Sequence, residues 1–470
     1  MTSYPARGVV VEQPPDRNTN GHCTAGGHAD GAYPLEDGVS RNAVSEQPSE
    51  RQTLRRNRIG RASIVVSADG NAAVRAPPVM RMRARALLLL CVCLCIPLAV
   101  NWLEWERPVR LTHAPPPPTS SNSTKLILSW VPFFGDPYFA FGAGKSAFAQ
   151  HGCPVADCEI TDDRLRVPQH HFDALLFHGF EFYELFFGKP LHRSPHQLYV
   201  FMTLESSHRT PVPERFRYFY NVTLTYRLDS DVPWPYFIVR DRESGARIAP
   251  GPRVLWREPS SPPLDRADWR LTLERIRAKA QPARAAWFVS NCHSKSAREI
   301  FARELGEHMA VDVYGGCGQN ECPSAAHPNC SQLLTERYHF YLAFENSLCE
   351  DYLTEKVLHG LWATAVPVVL SGARLSRFLP PRSYVNARGS TPAQLAERLT
   401  RLAADPEQFA QYLWWQDHYQ IERTMPGDQH ELGKHPLCVL CALLHAPTTI
   451  PTYRDIIAWW EDDEFNTTDV

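Results

Sequence analysis

Beyond residue 125 the chain alternates short apolar runs with amphipathic stretches, and the spacing predicts which are strands and which are helices. Leu126-Ile127-Leu128-Ser129-Trp130-Val131 alternates as a strand does. Gly142 to Gln150 reads as a helix, and Phe172 to His178 and Leu198 to Thr203 as two further strands. A Pro-rich stretch, Pro250 to Pro263, precedes helical spacing over Ala267 to Lys279, and then the pattern starts again. Trp287-Phe288-Val289 reads as a strand, Ala297, Ile300, Phe301 and Leu305 stand at core spacing on a helix, and Val311 to Gly315 reads as a strand. Phe340 to Phe344 is an apolar run. A polar loop follows it, then Leu353, Val357, Leu358, Leu361 and Trp362 on one helical face, then the buried-strand signal Val366 to Leu370. Strand, loop, helix and strand in succession predict parallel α/β sheets. We expect two α/β domains, 126–280 and 281–445, with a tail over 446–470.

Open parallel sheets bind ligands beyond the carboxyl ends of their strands, so the loops there carry the candidate chemistry. The loop Phe344 to Lys356, FENSLCEDYLTEK, would place Glu345, Asn346, Tyr352, Glu355 and Lys356 around a crevice. Lys356 falls near a helix N-terminus, where free N–H groups favour phosphate, and a phosphorylated substrate is the first inference. On spacing alone, Glu and Lys in a first helical turn are more often solvated residues matching the dipole. Arg298 lies in the first turns of the preceding helix, where a guanidinium could clamp a diphosphate bidentately. Glu205 follows the strand Leu198 to Thr203 and would face a crevice in the first domain. Asp229 and Asp231 offer oxygen ligands to Mn²⁺ or Mg²⁺, although Asp-x-Asp is also common in turns.

Upstream the pattern changes. Ala86 to Leu103 is apolar, close to the lower length limit of a spanning helix. Arg75, Arg81, Arg83 and Arg85 precede it and Glu104 and Glu106 follow, so the positive-inside rule puts the N-terminus in the cytosol and the rest in a lumen. This predicts cytosolic residues 1–85 (disordered over 1–79), a signal anchor over 86–103, and a Pro-rich stem over 104–125. Met80 and Met82 directly before the anchor offer a second translation start. Of 13 cysteines, three lie in the apolar run and nine after it, as an oxidising compartment would favour. Cys153 and Cys158 bracket a tight loop that predicts a local disulfide, and Cys438-x-x-Cys441 is read as structural. An odd number of luminal cysteines leaves one free or intermolecular. Four N-x-S/T sequons, at Asn122, Asn221, Asn329 and Asn466, lie on the same side. The net charge of −2 and the lack of a long basic, aromatic-rich patch exclude a nucleic-acid binder.

LESSHRTP, NVTLTYRLDSD, WFVSN with SAREIF, VDVYG, FYLAFENSLCEDYLTEK, VPVVL and the late Cys-x-x-Cys stand in an order that resembles the α1,3-fucosyltransferase family, over roughly residues 126–445. The resemblance implies a GT-B fold: two Rossmann-like domains facing a cleft, the first binding the acceptor and the second GDP-fucose. It implies inverting transfer with Glu205 as base. Arg298 and Lys356 would neutralise the diphosphate, Glu355, Asn346 and Tyr352 would orient the donor, and Ser290, Asn291 and Tyr226 would complete its site. The Asp229–Asp231 segment matches a stretch of the family not known to hold a metal. No cofactor is required, with Mn²⁺ at most stimulatory. The acceptor would be a glycoprotein glycan, the location a Golgi membrane with the catalytic part luminal, and a homodimer is compatible with the family. Ser206 after Leu204-Glu205, His178-Gly179-Phe180-Glu181 and the glycine-free Pro233 to Phe237 depart from the family pattern, all in the acceptor half. A metal-dependent transferase using Asp229 and Asp231 and a silent luminal glycan-binding protein are the competing readings.

Overall fold

The computed structural model describes residues 124–461 apart from 134, 139–140, 180–189, 191, 280, 323–327, 426–433 and 447–449, together with 65–66, 72–73 and 110–111. The anchor, Asn122 and Asn466 lie outside the described residues. The chain divides into two compact units, His28–Arg107 and the remainder. In the first, Val65–Val66 pairs antiparallel with Ala72–Ala73, a short ladder within residues expected to be disordered. No described helix is long and apolar enough to cross a membrane.

In the second unit, Lys125–Val131 (β1) is followed by Ser146–Gln150 (α1), Cys158–Thr161 (β2), Ala174–His178 (β3), Leu198–Thr203 (β4), Val222–Thr225 (β5) and Val232–Pro233 (β6). These six strands form one parallel sheet in the order β6-β5-β4-β3-β1-β2. Phe237–Asp241 (β7) and Arg247–Ala249 (β8) leave it, and Ala267–Ala278 (α2) leads into the second domain. There Arg284–Phe288 (β9), Arg298–Gly306 (α3), Ala310–Tyr314 (β10), Pro328–Arg337 (α4), Phe340–Phe344 (β11), Lys356–Trp362 (α5), Val366–Leu370 (β12) and Val385–Asn386 (β13) alternate. The sheet order is β10-β9-β11-β12-β13, again all parallel. In both sheets the chain runs one way from the first strand and then returns past it, which creates a switch point where ligands bind in such sheets.

The residues explain the elements. All five residues of Phe340–Phe344 and of Val366–Leu370 are buried, as strands covered by helices on both faces must be. Pro392–Ala404 (α6) buries Leu395, Ala396, Leu399, Leu402 and Ala403 at helical spacing and starts on a capping box between Thr391 and Gln394, with Pro392 in its first turn. Together with Pro406–Ala410 (α7) it closes a continuous core over β9, β11 and β12.

Four expectations need correction. The C-terminal part does not belong to the second domain or trail as a tail. Tyr419–Arg423 (β14) pairs antiparallel with β7. Pro436–His445 (α8) and Ile456–Glu461 (α9) then return to the first domain, where Tyr453 N donates to Tyr220 O (2.7 Å) and Trp460 Nε1 to Thr210 O (2.8 Å). Cys153 and Cys158 do not pair with each other. Cys153 bonds Cys438 and Cys158 bonds Cys441, so the Cys-x-x-Cys sits on a helix stapled to the first domain by two bridges. Cys292–Cys317 and Cys322–Cys330 complete four pairs, and Cys349 is buried and is not left over as a lone thiol. Asn221, a candidate glycan acceptor, is buried. Its amide accepts from Arg193 and from Tyr199 N (3.0 Å) and donates to Ile450 O (2.9 Å), so an amide so engaged serves the fold.

Candidate active site

The second domain's switch point lies between β9 and β11, and the loops leaving those strands face each other there. Ser290 and Asn291, exposed, follow β9. The Cys292–Cys317 bridge ties this loop to the one after β10. Gly315 has φ +89°, and a Cβ on it would meet Val289 O at 2.8 Å, so only glycine lets these two loops close up. After β11 comes the predicted polar loop. Its helix begins at Lys356 rather than near Leu353 and has seven residues, and Trp362 is exposed rather than on its buried face. The anion preference expected of the helix end therefore rests on the Lys356 ammonium itself.

Glu345 is fully buried. It accepts from Thr354 N (2.8 Å) and Thr354 Oγ1 (2.8 Å), and its Oε2 lies 3.2 Å from Lys356 Nζ. Lys356 also donates to Thr354 Oγ1 (2.7 Å) and stands 3.6 Å from Glu355 Oε1. Burial works against its charge, but Glu345 and Glu355 outweigh it and raise its pKa. Burial would likewise raise Glu355, yet Lys356 holds it below the usual carboxylate value. The result is one cation shared by two carboxylates at the mouth of the crevice. Asn346 adds a buried Oδ1 that has no hydrogen-bond partner, an acceptor open to a ligand donor.

Arg298 differs from expectation. It is buried, donates from Nη1 to Phe344 O (2.6 Å) and from Nη2 to Asn291 O (3.3 Å), and burial lowers its pKa. Two of its five N–H groups thus brace the loops after β9 and β11. Only its buried Nε is without a partner. Tyr226 and Tyr352 are buried too, with ring centroids 4.9 Å apart, and form an aromatic seam between the domains.

Glu205 reaches this site from the first domain. Its backbone N–H donates to Thr203 Oγ1 (3.1 Å), and the preceding carbonyl, Leu204 O, accepts from Tyr236 Oη. Burial raises its pKa; Lys356 and Arg209 pull it down, and Glu355 and Glu345 push it up. Its carboxylate therefore senses all three charged groups of the second domain's loop. A carboxylate with an elevated pKa, in the field of a cation flanked by carboxylates, has the chemistry to take a proton from a hydroxyl while an anion departs.

Family models match both halves of the chain. The fucosyltransferase N-terminal family model matches residues 122–237 and the C-terminal model of glycosyltransferase family 10 matches 278–460. Alpha-(1,3)-fucosyltransferase C of Drosophila melanogaster is 40% identical over 353 residues, 72% of this chain and 78% of that one. The chain belongs to glycosyltransferase family 10, the fucosyltransferases. The alpha-(1,3)-fucosyltransferase fut-1 of Caenorhabditis elegans is 29% identical over 342 residues, 72% and 68% of the two chains. A crystal structure of an α1,3-fucosyltransferase with GDP-fucose is 13% identical, with a TM-score of 0.41, over 76% of this chain and 99% of that one.

In this fucosyltransferase the Asp-x-Asp pair is structural. Asp229 is bidentate to Arg227 (2.9 and 3.0 Å) and accepts from Trp459 Nε1 (3.0 Å). Asp231 accepts from Thr223 N (2.9 Å) and Tyr453 Oη (2.8 Å) and so anchors the returning C-terminal segment. Among the described residues, Cys158, Cys441 and His445 are near enough to share a metal, but their two sulfurs are bonded to each other. Sequence reasoning placed Glu345 at the crevice without a role and missed Asp351. That residue, at φ +56°, takes Leu228 N (3.1 Å) from the first domain and Arg377 Nη1 (2.9 Å) from the second. A left-handed aspartate has no sequence signal of its own.

Proposed function

We propose that this fucosyltransferase moves L-fucose from GDP-fucose, in α1,3 linkage, to N-acetylglucosamine of glycoprotein glycans. The observation that carries this reading is the meeting of Glu205, from one domain, with Lys356 and its two carboxylates, from the other. The names of the relatives supply the sugar and the linkage. Glu205 takes the proton of the acceptor hydroxyl; the oxygen bonds to the anomeric carbon from the face opposite the leaving group, the carbon–phosphate-oxygen bond breaks, and GDP departs with inversion. Lys356 stabilises the negative charge on the departing diphosphate. The positive charge developing on the sugar is stabilised by the carboxylate of Glu355.

We expect transfer by this route to run without a divalent metal, a reading supported by the commitment of Asp229 and Asp231 to Arg227, Trp459, Thr223 and Tyr453. The same commitments argue against an Asp-x-Asp mechanism, and the fucosyltransferase relatives argue against a silent glycan binder. The charge bias around Ala86 to Leu103 supports a Golgi type II topology with the catalytic domains luminal. A GDP-fucose transfer assay on N-glycan core and lactosamine acceptors, with and without EDTA and with mass mapping of products, tests the reading. Transfer that persists in EDTA is expected; loss in EDTA with recovery on Mn²⁺ would overturn the metal-free route.

A further inference from the structure

Two buried serines on different domains join the base to the donor loop. Ser206, directly after Glu205, is fully buried, and its Oγ is 2.8 Å from Ser347 Oγ, itself 3% exposed. The residues around each are pinned. Ser206 O accepts from Arg209 N and Thr210 N (both 2.9 Å), which closes a tight turn behind Glu205. On the other side, Ser296 Oγ donates to Glu345 O (2.6 Å) and Ser296 N to Asn346 O (3.2 Å), so the donor loop is fixed from beneath. The Ser206–Ser347 hydrogen bond thus joins two rigid turns, one carrying the base and the other carrying Glu345 and Asn346.

We propose that Ser206 and Ser347 are positioning residues that set where the Glu205 carboxylate stands relative to the donor loop. This rests on Glu205 being the base. Neither hydroxyl is exposed enough to meet substrate, so their effect passes through Glu205. A neutral hydrogen bond in a dry seam, 141 residues apart in sequence, holds the two halves of the site in register. Without the bond the Glu205 carboxylate is no longer held in register with Lys356, the leading charge that keeps it ionised.

The test compares Ser206→Ala, Ser347→Ala and the double variant with wild type in the GDP-fucose transfer assay across pH. Each single variant is expected to lower kcat by about three- to tenfold, with the KM for GDP-fucose little changed, and to move the acid limb of kcat upward in pH. The double variant is expected to lose no more than either single, because both remove the same bond. If Ser206→Ala does not fold, Ser347→Ala probes the same bond from the other domain. An unmoved acid limb, or losses that multiply in the double variant, would overturn the proposal. Wild type and Glu205→Gln serve as controls. Absent wild-type transfer or full activity in Glu205→Gln would defeat the functional reading instead.

Discussion

The two sheets share a strand order and differ in what stands at the carboxyl end of the third strand. In the donor half that strand ends at Phe344 and delivers Glu345, which gathers Thr354 and Lys356 around a buried charge. In the acceptor half it ends at His178, fully buried, its ring tilted against Phe133 with centroids 4.2 Å apart and kept neutral by burial, which pushes its pKa down to about 3. One topology thus carries an ionic cluster at this strand end in one half and a buried aromatic contact in the other. The fold supplies the place for chemistry and the residues at the strand end decide its kind. Glu205 is the exception that connects them, a carboxylate of the apolar half that responds to the charges of the ionic half.

The largest break in this comparison comes from removing that connection. Glu205→Gln keeps the shape and loses the base, and kcat is expected to fall by about two to four orders of magnitude. GDP binding, followed by calorimetry, is expected to persist because the donor half is untouched. Loss of both together would place Glu205 in the donor site.

Next in size is the staple of the acceptor half. Replacing Cys438 and Cys441 by serine removes bridges spanning 285 and 283 residues, and about 2–5 kcal/mol of stability should go with each at most. Since both bridges end on the first domain, denaturation followed by hydrogen exchange is expected to expose β1 and β2 before β9 and β11. Simultaneous exposure of both sheets would show that the halves unfold as one.

Much of this was legible in the chain and some of it was not, for physical reasons. Phe340–Phe344 and Leu198–Thr203 announce themselves because a buried parallel strand needs an unbroken apolar run. The loop Glu345 to Lys356 was legible because its polar residues sit between two such signals. The return of α8 and α9 to the first domain was not, since local periodicity says nothing about which sheet a helix packs on. The disulfides followed suit: Cys153 and Cys158 are near in sequence, but their partners arrive from nearly the far end of the chain. Arg298 stands on its helix as the spacing predicts, but its bonds to Phe344 O and Asn291 O depend on two loops far apart in sequence and have no local signal.

A smaller effect sharpens the ionic half. Lys356→Ala removes the cation held by Glu345 and Glu355, a charge-assisted interaction worth about 1.5–3 kcal/mol, so at least tenfold is expected in donor KM or turnover. Glu345 would be left buried with only Thr354 as partner, and the melting temperature should fall as well. A Lys356→Ala protein with normal donor kinetics would move the diphosphate-stabilising role elsewhere.

The smallest expected effect is a displacement in pH, and it tests whether the two halves share one electrostatic field. Glu205 acts as a base only when ionised. Burial raises its pKa above the ordinary glutamate value, with Lys356 the leading charge opposing that rise. The acid limb of kcat/KM should therefore lie above the usual carboxylate range, with activity falling as pH drops through it. In Lys356→Met, which keeps bulk and removes charge, the opposing influence is gone and the limb should move to still higher pH. Glu355→Gln removes a carboxylate that pushes Glu205 up, so its limb should move to lower pH. Opposite displacements in the two variants would establish that the donor loop tunes the acceptor base; equal limbs in both would mean that burial alone sets it.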